Sequence, residues 1–267
     1  MQRISYSKVS TLLSCPRKIY FERIGLEHPL PADLAIGSSV HHALAGYIRS
    51  DDDPLELLER RWERYLSGDR ELETHWTGEL SFRRRSAKQL LETARDAILA
   101  YIPFLDEVLS DGTPEGIELH LEAPLSDRVI LHGFIDLLLP DRIIDFKFAS
   151  RRFRPNELQA ACYSLLVAEN LGARPFEFHV LLKEQPSAVR VKPIPLDTSR
   201  LEFYKTFVLK PAAEILSGSF FPANPSFVFC SESFCPYWSY CIGSVSDSLR
   251  ERRPYELCDE LCESHVP

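Results

Sequence analysis

Apolar side chains recur at three- and four-residue steps along several stretches of this chain, the period of a helix that buries one face. The clearest is 86–109, where Leu90, Leu91, Ala94, Ile98, Tyr101 and Ile102 share a stripe. Residues 38–47 and 54–66 show the same spacing. In 5–24, Ser5 and Ser7 precede Val9, Leu12, Leu13, Ile19 and Tyr20, which predicts a capped helix interrupted at Cys15-Pro16, because proline starts a helical turn but cannot continue one.

The period then falls to two. Ile117, Leu119 and Leu121 alternate with Glu118, His120 and Glu122, and apolar stretches at 129–139 and 142–148 follow, so the pattern predicts a three-stranded meander. Leu139-Pro140-Asp141-Arg142 supplies its last turn. Helical spacing returns at 156–170, strands are predicted at 176–182 and 189–193, and Asp197-Thr198-Ser199 caps a helix reaching about Leu216. Strands interleaved with helices imply a mixed α/β fold of the α+β type.

Composition narrows the class. Of 267 residues, 45% are hydrophobic and 26% charged, enough to bury one sizeable core. No run of eighteen apolar residues appears, and the opening MQRISYSKVS lacks the basic-then-apolar order of a secretory signal, so a cytoplasmic protein without a membrane partner is expected. A formal charge of -8 argues against a protein that coats nucleic acid by charge surplus alone. It leaves room for a local basic path. Arg83-Arg84-Arg85, Arg151-Arg152 with Arg154, and Arg250 with Arg252-Arg253 are candidates, and solvated helix ends or loops are the plainer reading of each.

The chemistry concentrates between 133 and 163. Gly133-Phe134-Ile135-Asp136 and, eight residues later, Asp145-Phe146-Lys147 place two carboxylates nearly opposite each other across the predicted hairpin. Asp145 and Lys147 are two apart and share a face of one strand. Such carboxylates can hold Mg²⁺ or Mn²⁺, which polarises a phosphate and acidifies a bound water, while the ammonium orients that water or stabilises developing charge. An Asp and a Lys on a strand can equally face solvent. The flanks Leu131, Ile135, Leu137, Ile143, Ile144, Phe146 and Phe148 weigh against that, since interior charges are costly unless they serve an ion or another charge.

Gly-x-Ile-Asp, then Asp-x-Lys, then a helix carrying Gln159-Ala160-Ala161-Cys162-Tyr163, resembles the Q-x-x-x-Y variant of the PD-(D/E)XK nuclease superfamily found in RecB-like and CRISPR-associated nucleases. Upstream, Gly37-Ser38-Ser39-Val40-His41 resembles that family's helical G-x-x-x-H, and Ser5-Tyr6-Ser7 through Cys15-Pro16-Arg17 resembles its opening. The resemblance implies a restriction-endonuclease-like core, with His41, Asp136 and Asp145 as metal ligands and Lys147 as base or electrostatic stabiliser. It implies that Gln159 and Tyr163, one turn apart, position the lysine or the substrate strand. It further implies one nuclease domain over 1–267: a helical part at 1–110, a catalytic core at 111–217 and a cysteine-rich segment at 218–267. His42 competes with His41 but points about 100° away on a helix. Pro140-Asp141 spells the superfamily's name, yet its turn position makes Asp141 a poorer partner for Asp145 than Asp136 is.

Seven cysteines without an export signal read as thiols or metal ligands rather than disulfides. Cys230, Cys235 and Cys241 lie in an aromatic-rich segment far beyond Cys15. This resembles the iron–sulfur subset of the family, in which one cysteine before the core and three after it hold a [4Fe–4S] cluster that joins the chain ends; zinc is the rival. Cys258, Cys262 and His265 offer a second ligand set, while Cys162, Cys258 and Cys262 read as free structural thiols. The function so implied is a Mg²⁺- or Mn²⁺-dependent DNA exonuclease acting on single-stranded ends in recombination, repair or CRISPR adaptation. The alternatives are a nucleic-acid-binding subunit without turnover and a zinc-stabilised endonuclease. The chain has no G-x-x-x-x-G-K-[ST] sequence, so a helicase partner would be a separate protein.

Overall fold

The computed structural model describes residues 2–184 and 188–241. Cys258, Cys262, His265 and the last arginine group lie outside them. In chain order the elements are β1 (Gln2–Ile4), α1 (Tyr6–Ser14), α2 (Pro16–Arg23), β2 (His28–Pro31), α3 (Ala32–Ser50), α4 (Pro54–Leu66), β3 (Trp76–Ser81), α5 (Ala87–Ser110), β4 (Gly116–Ser126), β5 (Val129–Leu138), β6 (Ile143–Ala149), α6 (Glu157–Leu171), β7 (Phe176–Leu182), β8 (Val189–Ile194), α7 (Thr198–Tyr204), α8 (Lys210–Ser217) and α9 (Trp238–Cys241).

Local signals set many boundaries. The Ser5 hydroxyl accepts from the Lys8 amide at 3.4 Å, Asn156 from Gln159 at 3.2 Å and Asp197 from Arg200 at 2.7 Å, each relieving a free amide at a helix start. Ser86 and Gln89 form a reciprocal capping box on α5. The break at Cys15 separates α1 from α2, with Pro16 opening the second helix. Two expectations are corrected. Helix α3 begins at Ala32, six residues earlier than the spacing suggests, and the helix expected to reach Leu216 is interrupted by a π-turn at Lys205–Leu209.

The main sheet runs β1-β5-β6-β7-β8, with β4 along the other edge of β5. Strands β4, β5 and β6 form the expected antiparallel meander, and the Leu139 amide closes its turn on the Arg142 carbonyl at 3.0 Å. Helix α6 carries the chain from β6 to its parallel neighbour β7. On either side of the helical stretch predicted at 5–24 lie two strands that the spacing does not predict: β1, which pairs in parallel with Val129–Leu131, and β2, which pairs with β3 in a separate two-stranded sheet.

Apolar packing covers both faces. Leu137, Ile144, Phe146 and Phe148 join α3, α4 and α5 in one core. Ile135, Leu138, Ile143, Phe178 and Val180 join α6 in a second. A third cluster, around Ile4, Val9, Leu12, Leu131, Cys162 and Ala213, binds α1, α2 and α8 to the start of β5. Among the described residues no helix is long and apolar enough to cross a membrane.

Candidate active site

Strand β5 shares one edge between two partners. At its start it pairs with β1 through Val129, Ile130 and Leu131; at its end it pairs with β6 through Leu137↔Ile144 and Leu138↔Ile143. Asp136 and Asp145 would be the next pair, but the ladder stops and the strands part there. The Phe146 amide donates instead to Asp136 Oδ2 at 2.8 Å, so the side chain takes the hydrogen bond that a strand would have taken. The opening between 132 and 136 is a cavity of about 400 Å³ that reaches Tyr6, His132, Phe134, Asp145, Lys147 and Tyr163.

Alternation along β5 also breaks here. Ile135 and Leu137, two residues apart, enter different cores, so the strand turns over at Asp136. Opposite, on β4, Glu118 has a φ of 51°, a left-handed conformation unfavourable for a residue with a side chain. That twist brings Glu118 toward the site. Single ligand atoms of His41, Glu118 and Asp136 lie within 4.8 Å of one another, and His41 Nδ1 is 3.2 Å from Asp136 Oδ2. An imidazole and two carboxylates are a donor set suited to a divalent cation.

Asp145 is not in that compact group. It is 1% exposed; Gln159 Nε2 donates to its Oδ1 at 2.8 Å, and Lys147 Nζ holds its Oδ2. Asp145 and Lys147 thus share a face as expected, and Lys147 also donates to the Phe146 carbonyl at 3.2 Å. Gln159 reaches the carboxylate, not the lysine. Tyr163, one turn along, hydrogen-bonds to Gln159. Gly133 permits this close packing: a Cβ there would stand 3.0 Å from Leu166 and 3.2 Å from the Tyr163 ring.

The electrostatics follow from burial and neighbours. Burial pushes the Asp145 carboxyl up to about 6, opposed by Lys147 and reinforced by Asp136. Asp136 is held below its ordinary value: burial works against its charge, but His41, Lys147 and the Phe146 amide outweigh burial. His41 is raised, burial being overcome by Asp136. A bound cation would favour the ionised form of both carboxyls.

Glu118 escapes sequence reasoning because it occupies an ordinary outward position in an alternating strand, and no residue type announces its left-handed backbone. His42 lies on the exposed side of α3. Asp141 lies in the exposed turn and pairs with Arg142.

The four cysteines of the sequence pattern converge separately. Cys15 is buried at the α1–α2 junction and accepts from the Asn224 amide at 3.4 Å, while Asn224 Nδ2 donates to the Ser14 carbonyl at 2.9 Å. Burial raises the Cys241 thiol, Arg17 opposes that, and Cys15, Cys235 and Cys230 are near enough to add to it. Cys162 lies elsewhere, fully buried beside Leu165, its thiol pushed up to about 12 by burial.

Comparisons with known proteins agree with this architecture. Among solved structures, a "putative exonuclease" from Eubacterium rectale superposes with a TM-score of 0.58 at 14% identity, covering 94% of this chain and 88% of its own; so distant a likeness speaks for the fold alone. A second, named SSO0001, reaches a TM-score of 0.42 at 12% identity over 92% of this chain and 88% of its own, too low to bear on the fold. No curated protein matches the sequence. The family model of the PD-(D/E)XK nuclease superfamily matches residues 3–242. That span runs from β1 through both carboxylate strands and the helix buttressing them to the last of the four convergent cysteines, and the chain belongs to the PD-(D/E)XK nuclease superfamily.

Proposed function

We propose that the protein is a Mg²⁺- or Mn²⁺-dependent DNA exonuclease acting on single-stranded ends, working in recombination, repair or CRISPR adaptation beside a helicase on a separate chain. The observation that carries the reading is the gap between β5 and β6, where acids, imidazole and lysine meet a small cavity lined by Tyr6, His132, Phe134 and Tyr163. Phe134 is 52% exposed and stacks with His120 at 4.8 Å, a surface that supports stacking with unpaired bases.

His41, Glu118, Asp136 and, on release from Lys147, Asp145 are the residues that would hold the ion. When bound, it would polarise the scissile phosphate and lower the pKa of water. Lys147 places an ammonium beside Asp145 to orient the attacking water or stabilise the phosphorane charge, and Gln159 with Tyr163 fixes the carboxylate.

Cys15, Cys230, Cys235 and Cys241 are proposed to hold a [4Fe–4S] cluster. Their thiols fit a soft metal.

The test uses anaerobically purified protein, iron analysis, and Mn²⁺ with end-labelled linear or circular single-stranded DNA. Linear strands should be degraded and circles spared, with no cleavage by Asp145→Ala. Circles cut as fast as linear strands would make the enzyme an endonuclease, and no cleavage of DNA or RNA would leave a binding subunit. A colourless zinc protein would remove the cluster.

A further inference from the structure

A second cavity, of about 680 Å³, opens on the other side of the same residues. Its inner wall is His41, Glu118, Asp136 and Lys147; its outer wall carries His42 and Arg49 from α3 and Arg61 from α4. His42 and Arg49 are seven apart and share a helical face. Gly37 also lines the cavity, and a Cβ added there meets nothing within 4 Å, so the glycine leaves open space rather than a packing contact.

The arginines of this region fall into two groups. Arg60 pairs with Glu56, Arg64 with Asp69, and Arg95 with Glu59. Among the described residues, Arg61 and Arg49 have no carboxylate within salt-bridge distance, in a chain with 39 acidic against 31 basic residues. Arg61 lies 5.6 Å from the Tyr65 ring, and its Nε is buried without a hydrogen-bond partner. Arg49 donates only a long 3.4 Å bond, to the Ile117 carbonyl. Asp33, the acid at the cavity's outer wall, is held by Lys183 at 2.7 Å.

A buried donor without an acceptor is costly, and a guanidinium's fork matches a phosphate. We propose that this cavity is a phosphate subsite in which Arg49 and Arg61 grip a backbone phosphate of the substrate strand beside the one being cleaved. The inference rests on the nuclease reading and extends it by assigning the strand a path: bases in the aromatic cavity, backbone in the cationic one, carboxylates between.

The experiment measures binding of a fluorescent single-stranded DNA oligonucleotide against salt, with Ca²⁺ replacing the catalytic ion, for wild type, Arg61→Gln, Arg61→Lys, Arg49→Gln and Arg60→Gln. Each cavity variant to Gln should weaken binding about tenfold and reduce the slope of log Kd against log salt by about 0.7, one phosphate contact, whereas Arg61→Lys keeps the slope and Arg60→Gln matches wild type. Neutral methylphosphonates placed singly along the strand should weaken wild-type binding at a position beside the scissile phosphate, and there Arg61→Gln loses nothing further. Unchanged slopes in correctly folded variants, or penalties that add at every position, would overturn the subsite. Cleavage by wild type with Mn²⁺ is scored separately: slopes that change without any cleavage remove the nuclease and leave an anion site, while cleavage with unchanged slopes removes the subsite alone.

Discussion

His41, Asp136, Asp145 and Gln159 project from two strands and two helices whose backbones are bonded into the sheet or packed on its cores. Cys230, Cys235 and Cys241 sit on a stretch after α8 whose sole regular element among the described residues is the four-residue α9, with Phe220 80% and Val228 78% exposed. That stretch is tied down locally, through Asn224 on the α1–α2 junction and Tyr237 against Phe21 at 5.0 Å. The difference teaches that the carboxylate centre is preorganised by the fold, whereas the cysteine segment would gain more from any group that bridged its sulfurs.

The sharpest break between the two would come from Asp136→Asn, which should lower cleavage of single-stranded DNA about 10³-fold while the unfolding temperature barely changes. Rapid cleavage by this variant would show that the buried acid is structural. Next in size is a pH effect. Asp145 has a folded-state pKa of about 6 against an ordinary 3.8, so below the lower value there is no penalty, and stability falls as pH rises through that window. The difference corresponds to about 3 kcal/mol in metal-free protein. Asp145→Asn should therefore be more stable than wild type at pH 7.5 and equal to it near pH 3.5, and a pH-independent difference in denaturant titrations would refute the assignment. Cys235→Ser should cost about 2 kcal/mol, read as a melting temperature lower by about 6 °C with loss of the visible absorbance, and should leave Mn²⁺ affinity unaltered. Loss of Mn²⁺ binding in that variant would mean that the two regions are coupled. Smallest is Glu118→Gln, which removes one charge near the ion and should weaken Mn²⁺ binding about threefold by calorimetry; no change would place Glu118 outside the coordination shell.

Period and punctuation made the central elements legible. Alternation at 117–121 announced β4, and the spacing of Asp145 and Lys147 placed both on one face of β6. The three strands near the front were hidden for separate reasons. Gln2–Ile4 is too short to show a period, His28–Pro31 carries two prolines that argue against a strand, and Trp76–Ser81 contains Gly78 at a φ of 89°. At the site, residue types alone could suggest Asp136 and His41. They could not show that the β5–β6 ladder ends at Asp136, that Gln159 serves Asp145, or that Glu118 turns inward, because each depends on twist and tertiary contact rather than on local preference.

The shared edge of β5 has a consequence in time. Residues 2–4 find their strand partner only at 129–131, and β6 must then pair beyond them, so the cleft cannot take shape until more than half of the chain has been synthesised. A ribosome-bound fragment carrying α1 to α5 would hold His41, Arg49 and Arg61 but neither Asp136 nor Asp145. Such an order keeps His41 apart from Asp136 and Asp145 until β5 and β6 have been made and docked.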